Sequence, residues 1–363
     1  MDTSLWQGKR VLVTGHTGFK GGWLCLCLQS MGAKVIGYAL DPHTHPNLFS
    51  LAKIDSDMTS VIGDIQDLST LKQVVEDFSP EVVFHLAAQP LVRESYKLPV
   101  YTFATNVMGT VNLLESIRQT QTVRAVVNIT SDKCYENREW VWGYRETEAL
   151  GGYDPYSSSK ACAELVAAAY RNSFFNHVNS EKDIALGTAR AGNVIGGGDW
   201  STDRLVPDCL RAFQSGEPVV LRSPQAVRPW QHVLEPISGY ILLAEKLMSS
   251  ESNRYASAWN FGPDDRGDAT VGEVAKTIAH LWGNNATVDV DKNKNHPHEA
   301  GLLRLDISRV RTELGWNPQW TVKQALQATV DWHRAWLEGK DMRDFSLWQI
   351  AGYQKTHSYA SVL

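Results

Sequence analysis

The sequence has few cysteines, and none of them is spaced as in a redox motif or a zinc site. They are odd in number and form neither a CxxC motif nor a cluster with histidines: Cys25, Cys27, Cys134, Cys162 and Cys209. In a chain of 363 residues this pattern predicts reduced, mostly buried thiols rather than a disulfide framework. We therefore expect a cytoplasmic protein without a metal site. The nearby His296 and His298 have no third ligand at a fixed spacing.

The sequence also lacks an excess of basic charge and any long hydrophobic run. The formal net charge is −5 and the isoelectric point is near 6.1, whereas a nucleic-acid-binding protein normally presents a basic face. No apolar stretch approaches the ~20 residues of a membrane span. No apolar targeting segment precedes the first predicted strand near Lys9. We expect neither nucleic acid nor a membrane as a partner.

What the chain does have is a regular alternation of apolar runs and amphipathic stretches. Hydrophobic residues make up 43% of the sequence and charged residues 21%, which is typical of a globular protein. Strands that are apolar on both faces and alternate with helices indicate a doubly wound parallel sheet of the Rossmann type. The predicted strands are Arg10–Val13, Ala33–Leu40, Val61–Ile62, Glu81–Leu86 and Ala125–Ile129.

A glycine-rich segment follows the first strand and opens the first helix. Its spacing is GxxGxxG, over Gly15 to Gly21. The first glycine permits a tight turn, the second lets the backbone approach a pyrophosphate, and the third lets the helix pack on the strand. The helix start then offers free N–H groups to phosphates. This position predicts a dinucleotide site with contacts from Gly15, His16, Thr17, Gly18, Phe19 and Gly21.

An acidic residue at the end of the second strand is placed to bind the adenosine ribose. Asp41 lies 20 residues beyond Gly21, and residues 41–46 contain no arginine or lysine for a 2′-phosphate, so we expect NAD rather than NADP. An ordinary turn aspartate before Pro42 remains an alternative. Other cofactor contacts are predicted beside the ends of the third and fourth strands and in a later helix: Asp64, Ile65, Leu86, Ala87, Ala88, Gln89 and Asn106.

The catalytic candidates lie after the fifth strand. Tyr156 and Lys160 are four residues apart, which places both on one face of a helix. A free tyrosine has a pKa near 10. We expect the lysine ammonium and the positively charged nicotinamide to lower the tyrosine pKa. Ser131 could share the substrate hydroxyl with Tyr156. A YxxxK motif alone is common, but its combination with the dinucleotide loop is specific.

With these motifs in place, the chain resembles the extended short-chain dehydrogenase/reductase family over roughly residues 8–330. Within that family it is similar to the nucleotide-sugar 4,6-dehydratases, and in particular to the group that acts on CDP-glucose. The stretches that carry the resemblance are Thr14–Gly22, Ile129–Asn137, Tyr156–Lys160, Arg190–Trp200 and Arg228–Glu235.

The resemblance implies an oxidation, an elimination and a reduction on one sugar. Tyr156, helped by Ser131 and Lys160, removes the C4 hydroxyl proton while the C4 hydride passes to NAD. The resulting ketone acidifies the C5 proton, so water leaves across C5–C6, and the hydride then returns to C6. Net redox change is zero, so NAD can remain bound.

The residues after Ser131 distinguish this chain from other dehydratases. The enzymes for dTDP- and GDP-sugars have an Asp-Glu pair where this sequence has Asp132-Lys133. By analogy Asp132 protonates the departing C6 hydroxyl and Lys133 takes the C5 proton, although an amine must first lose its own proton to act as a base. Lys133 could instead stabilise the enolate oxygen. A solvent-facing strand-end pair is a third interpretation.

The resemblance also implies a set of residues that hold the nucleotide sugar. Asn193 and Arg228 match positions that bind the substrate diphosphate, and arginine can do so bidentately. Arg204 has surface solvation as an equally good explanation. Trp200 and Trp230 could flank the cytosine or simply lie in the core. The complete predicted set is Gln89, Asn193, Arg204, Arg228, Asn260 and His298.

The domain organisation follows from a change of texture after Arg190. We expect an NAD-binding domain over residues 1–190 with a return segment near 230–260, a smaller α/β substrate domain over 191–340, and a tail of unknown role over 341–363. Helices near 106–116 and 156–175 imply a homodimer or a dimer of dimers, as in the family. The alternatives are a nucleotide-sugar epimerase, a simple dehydrogenase and a non-catalytic NAD-binding protein, although the last typically lacks YxxxK.

Overall fold

The computed structural model describes residues 3–175, 184–264, 268–283, 286–291 and 300–360, with side chains described as far as residue 356. His298 and His296 lie outside the described residues.

A parallel sheet of seven strands forms the centre of the molecule, in the order β11-β6-β5-β4-β1-β2-β3. Every neighbouring pair in it runs parallel. The described strands are β1 Arg10–Thr14, β2 Lys34–Ala39, β3 Thr59–Ile62, β4 Val82–His85, β5 Ala125–Ile129, β6 Ala185–Ala191, β7 Val194–Ile195, β8 Val219–Leu221, β9 Val227–Pro229, β10 Gln231–His232, β11 Ala258–Phe261, β12 Asp268–Thr270 and β13 Val288–Val290.

Helices cover both faces of this sheet, which confirms the predicted doubly wound α/β fold. Short 3₁₀ turns occupy Ile54–Asp57 and Asp132–Cys134, and π-helical turns occupy Ala104–Met108 and Val310–Leu314. The α-helices are α1 Thr3–Trp6, α2 Phe19–Ser30, α3 Leu48–Leu51, α4 Leu68–Phe78, α5 Val92–Lys97, α6 Pro99–Phe103, α7 Gly109–Arg118, α8 Pro155–Ser173, α9 Leu205–Gln214, α10 Leu234–Leu247, α11 Ser252–Tyr255, α12 Val271–Trp282, α13 Val322–Leu337 and α14 Met342–Ala360.

Apolar side chains from the two faces of the sheet form separate cores. Trp23 of α2 and Tyr240 of α10 are fully buried on one face, whereas Leu71 of α4 and Leu113 of α7 are fully buried on the other. Every residue of β5 is buried, as expected of a central parallel strand. The order in which strands are added to the sheet reverses between β1 and β4. The crevice outside the carboxyl ends of these two strands is where such folds bind ligands.

The C-terminal half forms a further core with three small two-stranded sheets. Helices α9, α12 and α13 pack around Trp230 and Leu326. Strand β11 comes after α9 and α10 in the chain, but it pairs with β6 in the main sheet. The domain boundaries proposed from the sequence stay a prediction. None of the helices in the described ranges combines the length and apolarity that a membrane span requires.

The tail, for which the sequence indicated no role, contains helix α14 and packs against α2 and α13. The hydroxyl of its Tyr353 donates to Glu235 Oε2 at 2.7 Å. The backbone N–H groups of Gln319 and Trp320 donate to the same carboxylate. Burial raises the pKa of Glu235 to about 7. The tail is therefore part of the folded core.

Candidate active site

The glycine turn after β1 is in direct contact with the loop after β4. Gly15 has φ = 78°, and a Cβ atom there would lie 2.7 Å from the backbone nitrogen of Ala87. Thr14 Oγ1 accepts hydrogen bonds from the N–H groups of Leu86 and Ala87 at 3.2 Å each, and lies 2.7 Å from His85 Nδ1. Only glycine meets both demands at position 15, the close approach and the positive φ.

The other two glycines of the motif have different roles. A Cβ on Gly21 would lie 2.1 Å from the carbonyl oxygen of Gly15, so the start of α2 can only sit on the turn if residue 21 has no side chain. Gly18 is the N-cap of α2, and a Cβ there would meet only that same oxygen at 3.4 Å, an ordinary contact. The protein itself does not require glycine at position 18. The space beside it, next to uncapped helix N–H groups, fits the pyrophosphate of a dinucleotide.

A groove of about 260 Å³ adjoins this turn. Thr17 lines it and is held by a hydrogen bond from its Oγ1 to the Leu40 carbonyl at 2.8 Å. Asp41, predicted to bind ribose, is exposed in the loop just beyond β2. Much of the lining was not predicted, because three separate segments of the chain supply it. These segments contribute Thr17, Gly18, Phe19; Pro42, His43, Thr44, Asn47, Leu48; and Gly198, Asp199, Trp200, Ser201.

The imidazole of His16 supports the turn from the sheet side. It is fully buried, its Nε2 lies 2.7 Å from Ser60 Oγ, and its ring fills the space above Gly37. Burial lowers the pKa of His16 to about 4, so the ring is neutral at physiological pH. The side chain is therefore committed to the fold, and a cofactor contact by His16 would come from its backbone.

The remaining predicted cofactor residues lie along the same edge of the sheet. Asp64 follows β3 and accepts a hydrogen bond from the Gln66 N–H at 2.9 Å. Ile65 is buried against Gly109, where a Cβ would come within 2.7 Å of it. The half-buried residues Leu86, Ala87 and Ala88 follow β4. All of these lie at the carboxyl ends of strands, and their contacts with a cofactor stay predictions.

Gln89 and Asn106 bind each other rather than presenting free polar groups. Asn106 Oδ1 accepts from the Gln89 N–H at 2.8 Å, and Asn106 Nδ2 donates to the Gln89 carbonyl at 3.1 Å and to Ser159 Oγ at 2.8 Å. The Gln89 side-chain amide donates to Thr102 Oγ1 and to the Leu91 carbonyl, and its oxygen accepts from the Leu91 N–H. These side chains brace the loop after β4 against the π-helical turn and α8.

The turn after β5 brings together the predicted serine, aspartate and lysine. Ser131 caps a 3₁₀ turn: its Oγ accepts from the Lys133 N–H at 3.2 Å and donates to Asp132 Oδ1 at 3.0 Å. Ser131 also lies beside Tyr156 of α8, close enough to lower the pKa of its phenol. The structure thus places the serine beside the tyrosine, as the sequence predicted.

Helix α8 delivers Tyr156 and Lys160 from one face. Both side chains are buried, and Lys160 Nζ donates to the Ile129 carbonyl at 3.3 Å. Burial lowers the pKa of Lys160 to about 8, although Glu164 opposes this shift. Burial is also the largest influence on Tyr156 and raises its pKa to about 12, while the neighbouring Ser131 and the charge of Arg204 act in the opposite direction. In the protein without its cofactor, burial outweighs these neighbours. The expected lowering of the Tyr156 pKa, which included the nicotinamide charge, stays a prediction.

Asp132 does not belong to a solvent-facing pair. Its side chain is 1% exposed, whereas that of Lys133 is 30% exposed, and Asp132 Oδ1 lies 3.5 Å from Lys133 Nζ. The other carboxylate oxygen, Oδ2, has no hydrogen-bond partner among the described residues and faces Gly192, where a Cβ would lie 3.2 Å from it. One oxygen of this buried carboxylate is thus held in place and the other is available.

Lys20, in the first turn of α2, is a site residue that the sequence analysis missed. Burial lowers its pKa to about 7, and the positive charges of Arg204, Lys160 and Lys133 act in the same direction. The negative charge of Asp132 opposes this shift. No hydrogen bond to its ammonium group is found within the described part of the chain. The available signal was a charged residue between two glycines of the motif.

Two of the predicted substrate residues lie near this pocket: Asn193, which follows the Gly192 that faces Asp132, and Arg204, whose charge acts on Lys20. Asn193 follows β6 and Gly192, and its Oδ1 is buried without a partner among the described residues. Arg204 Nη1 lies 3.3 Å from Asp199 Oδ2, and its charge lowers the pKa of Tyr156 and of Lys20, so it faces the catalytic residues. Surface solvation does not account for Arg204.

The other predicted substrate residues have different surroundings. Arg228 Nη1 donates to the Val227 carbonyl at 2.9 Å and its Nη2 donates to the Ala300 carbonyl. Asn260 is fully buried: its Nδ2 donates to the carbonyls of Tyr144 and Asp306, and its Oδ1 accepts from Tyr135. Both N–H groups of the Asn260 amide and one acceptor position of its Oδ1 are used within the fold, and a contact between Asn260 and the substrate stays a prediction. His298 lies outside the described residues.

The two tryptophans considered as walls for the base are core residues. Trp200 is buried in edge-on contact with Trp332 and Trp336. Trp230 is buried and its Nε1 donates to the Ala269 carbonyl at 3.0 Å. Within the described ranges, no three His, Cys, Asp or Glu side chains are grouped as a metal site.

Comparison with known proteins agrees with this geometry. The family model described as GDP-mannose 4,6 dehydratase matches residues 12–329. The chain belongs to this family. The resemblance to nucleotide-sugar 4,6-dehydratases is thereby confirmed, and the catalytic turn and α8 lie inside the matched range.

Relatives within and around this dehydratase family match nearly the whole chain. A CDP-glucose 4,6-dehydratase of Salmonella typhimurium is 55% identical over 354 residues, which are 97% of this chain and 98% of the relative. A dTDP-glucose 4,6-dehydratase of Xanthomonas campestris is 26% identical, covering 90% of this chain and 95% of the relative. The crystal structure of dTDP-glucose 4,6-dehydratase from Bacillus anthracis in complex with NAD shares the fold, with a TM-score of 0.74 and 24% identity over 93% of this chain and 100% of that one.

Proposed function

We propose that this dehydratase converts CDP-glucose to CDP-4-dehydro-6-deoxyglucose and water. The observation that carries the proposal is a buried carboxylate with one available oxygen, Asp132 Oδ2, beside the Ser131–Tyr156 pair. A simple dehydrogenase or an epimerase has no use for such an acid. The 55% identity to the Salmonella CDP-glucose 4,6-dehydratase supports the choice of CDP-glucose among nucleotide sugars.

The cofactor is NAD, which when bound accepts the hydride of the sugar C4 and returns it at C6. The turn at Gly15 and Gly18 supplies the uncapped helix N–H groups for its pyrophosphate. Asp41 is placed to accept from ribose hydroxyls just beyond β2. Lys160, on α8, is placed to hold the second ribose.

Tyr156 is the base that takes the proton from the C4 hydroxyl. Ser131 lies beside it and can contact the same substrate oxygen. Lys160 lies one helical turn after Tyr156, and its ammonium group donates to the Ile129 carbonyl. Because burial raises the pKa of Tyr156 to about 12, the tyrosinate depends on positive charge close to the phenol.

Elimination of water needs an acid at the C6 hydroxyl and a group that handles the C5 proton. Asp132, when it carries a proton on Oδ2, supplies the acid, while Oδ1 stays fixed by Ser131 and Lys133. Lys133 lies on the more exposed side of this carboxylate. It serves either as the C5 base or as a cation that stabilises the enolate oxygen.

The substrate diphosphate is held by groups from the C-terminal half. Asn193 offers an amide at the end of β6, and Arg204 brings a guanidinium to the catalytic pocket. Arg228, whose guanidinium rests on backbone carbonyls, exchanges part of these bonds for phosphate oxygens. With Lys20 and Lys160, these arginines make the pocket cationic, as a dianionic substrate requires.

We also propose a cytoplasmic homodimer. Apolar side chains are exposed on α6, the π-helical turn and α8: Val100 is 82%, Met108 52% and Leu165 59% exposed. Such a patch is typical of a subunit interface. The five cysteines are free thiols, which suits a reducing compartment. Gel filtration at micromolar concentration tests the dimer, and a monomer there would contradict it.

The decisive experiment uses CDP-glucose deuterated at C4. The label should appear at C6 of the same product molecule, as read by NMR and mass spectrometry in a mixture with unlabelled substrate. Deuterium that stays at C4, or that is lost to solvent, would refute the dehydratase reaction.

A further inference from the structure

A buried ionic cluster lies directly behind the catalytic turn. Glu164 of α8 is 4% exposed and accepts three side-chain hydrogen bonds: from Thr130 Oγ1 at 2.5 Å, from Thr188 Oγ1 at 2.7 Å and from Arg190 Nη2 at 2.8 Å. Burial raises the pKa of Glu164, but the charge of Arg190 and the three donors outweigh it, and the net shift is downward. The carboxylate is therefore ionised at neutral pH.

This cluster joins the two strands that carry the reacting groups. Thr130 immediately precedes Ser131 at the end of β5, and Arg190 lies near the end of β6, three residues before Asn193. Arg190 Nη1 also donates to Tyr135 at 2.8 Å and to the Glu146 carbonyl at 3.0 Å. The carboxylate of Glu164 thus helps to fix the positions of both Ser131 and Asn193, whose amide is proposed to bind the substrate.

Glu164 also lies one helical turn after Lys160 on α8. Residues spaced by four on a helix are neighbours, so the negative charge of Glu164 favours the ammonium form of Lys160. Other titratable groups that face Lys160 come from the elements around it: Cys134 of the 3₁₀ turn, His85 of β4 and Lys20 of α2. The two carboxylates in range of these groups are Asp132, which is bound to Lys133, and Glu164.

We infer that Glu164 is a positioning residue for the proposed reaction: it keeps Lys160 protonated, and through Thr130 it holds Ser131 in register with Tyr156. The expected change in the kcat–pH profile rests on the proposed dehydratase function, whereas the expected change in the protonation of Lys160 does not. Burial disfavours the ammonium form of Lys160, and the only compensation from α8 itself is Glu164. Without that charge, Lys160 loses its proton at a lower pH and no longer supports the tyrosinate.

The test is a Glu164→Gln variant of the full chain, with the Cε resonance of ¹³C-labelled Lys160 followed by NMR as a function of pH. A Lys160→Arg variant assigns the resonance. The wild-type midpoint is expected near 8. The variant midpoint should fall by about one pH unit. The alkaline limb of the kcat–pH profile should move in the same direction, with the KM for CDP-glucose little changed.

Two further variants keep the test valid. Because Glu164→Gln leaves Arg190 buried without its partner, the double variant Glu164→Gln/Arg190→Gln removes both charges. Its midpoint should lie below that of the wild type but above that of Glu164→Gln, because the loss of the Arg190 charge offsets part of the change. Glu146→Gln is the matched control: Glu146 belongs to the same network, where its Oε1 accepts from the Asn260 N–H, but it does not face Lys160. Its Lys160 midpoint should equal that of the wild type.

The outcomes separate the two proposals. An unchanged Lys160 midpoint in folded Glu164→Gln or in the double variant would overturn the inference, whatever the activity. A lowered midpoint without the matching move of the kcat–pH limb in an active enzyme would overturn the kinetic part of it. A wild-type protein that does not turn over CDP-glucose, yet shows the lowered midpoint in the variant, would refute the proposed function alone.

Discussion

Two polar clusters lie at the carboxyl ends of neighbouring strands, and they differ in how completely their groups are paired. In the first, which we call the closed cluster (Gln89, Thr102, Asn106, Ser159), each side-chain amide makes hydrogen bonds within the protein. In the second, the open cluster (Lys20, Asp132, Asn193), buried oxygens of Asp132 and Asn193 lack partners within the described chain. The closed cluster is buried throughout, whereas in the open cluster Asp132 is buried and Lys20 and Asn193 are half-buried.

The difference teaches which polar groups serve the fold and which await a ligand. An unsatisfied buried polar atom costs about 1–3 kcal/mol. A fold keeps such atoms when something else pairs with them during function. The open cluster lies beside Tyr156 and the closed cluster beside the loop after β4. We therefore expect substitutions in the open cluster to change reaction rates and those in the closed cluster to change stability.

The largest effect is expected from Asp132→Asn. Removing the acid that protonates the C6 hydroxyl should lower kcat by about 10³-fold, within the range of general acid catalysis. The free energy of unfolding should change little, because Oδ2 has no partner to lose among the described residues. Product formation by NMR and urea unfolding measure the two quantities. A kcat within tenfold of the wild type would mean that Asp132 serves the fold and not the reaction.

Lys133→Met should have the next largest effect. The first hydride transfer does not use this lysine, so partial reduction of bound NAD, seen at 340 nm, should persist while water loss slows by about 10²-fold. Asp132 would remain fixed by Ser131 at 3.0 Å, which keeps the acid in place. Normal turnover in this variant would remove Lys133 from the mechanism in both of its proposed roles.

Substitution in the closed cluster should act on stability. Asn106→Ala removes three hydrogen bonds and leaves the Gln89 N–H and carbonyl unpaired. We expect the free energy of unfolding to fall by about 2 kcal/mol. NAD affinity, measured by fluorescence titration of the folded variant, should change by less than threefold. A large loss of affinity with unchanged stability would make Asn106 a cofactor ligand, as the sequence suggested, and would break the distinction between the clusters.

Local motifs predicted the parts of the site that depend on neighbours in the chain. The alternation of strands and helices gave the sheet, and the four-residue spacing of Tyr156 and Lys160 placed them on one helical face. The pairing of Glu164 with Arg190, 26 residues apart, depends on how α8 packs on β6, and no local pattern encodes it. The hydrogen bonds of Asn260 could not be predicted for the same reason, because its partners come from distant loops.

The smallest expected effect is a change in stability at Lys20, the cation of the open cluster. Its pKa is lowered to about 7, first by burial and then by Arg204 and Lys160. The unfolded chain keeps the ordinary lysine pKa near 10.4. Between these values the unfolded state binds more protons, so the stability of the wild type rises with pH from about 7 to 10. Below pH 7 the destabilisation by the buried ammonium is fully present.

Lys20→Met should therefore stabilise the protein without bound ligands, and most strongly at low pH. We expect a gain of about 1–2 kcal/mol at pH 6, below the full linkage value because the side chain is partly exposed to solvent. By pH 9 the gain should have fallen to about half or less, and near pH 10.4 it should disappear. Urea unfolding at both pH values measures it, and Lys72→Met on the exposed face of α4 serves as the control. A pH-independent gain would mean that Lys20 is not held as a charge in the open cluster, because the benefit would then come from apolar packing alone.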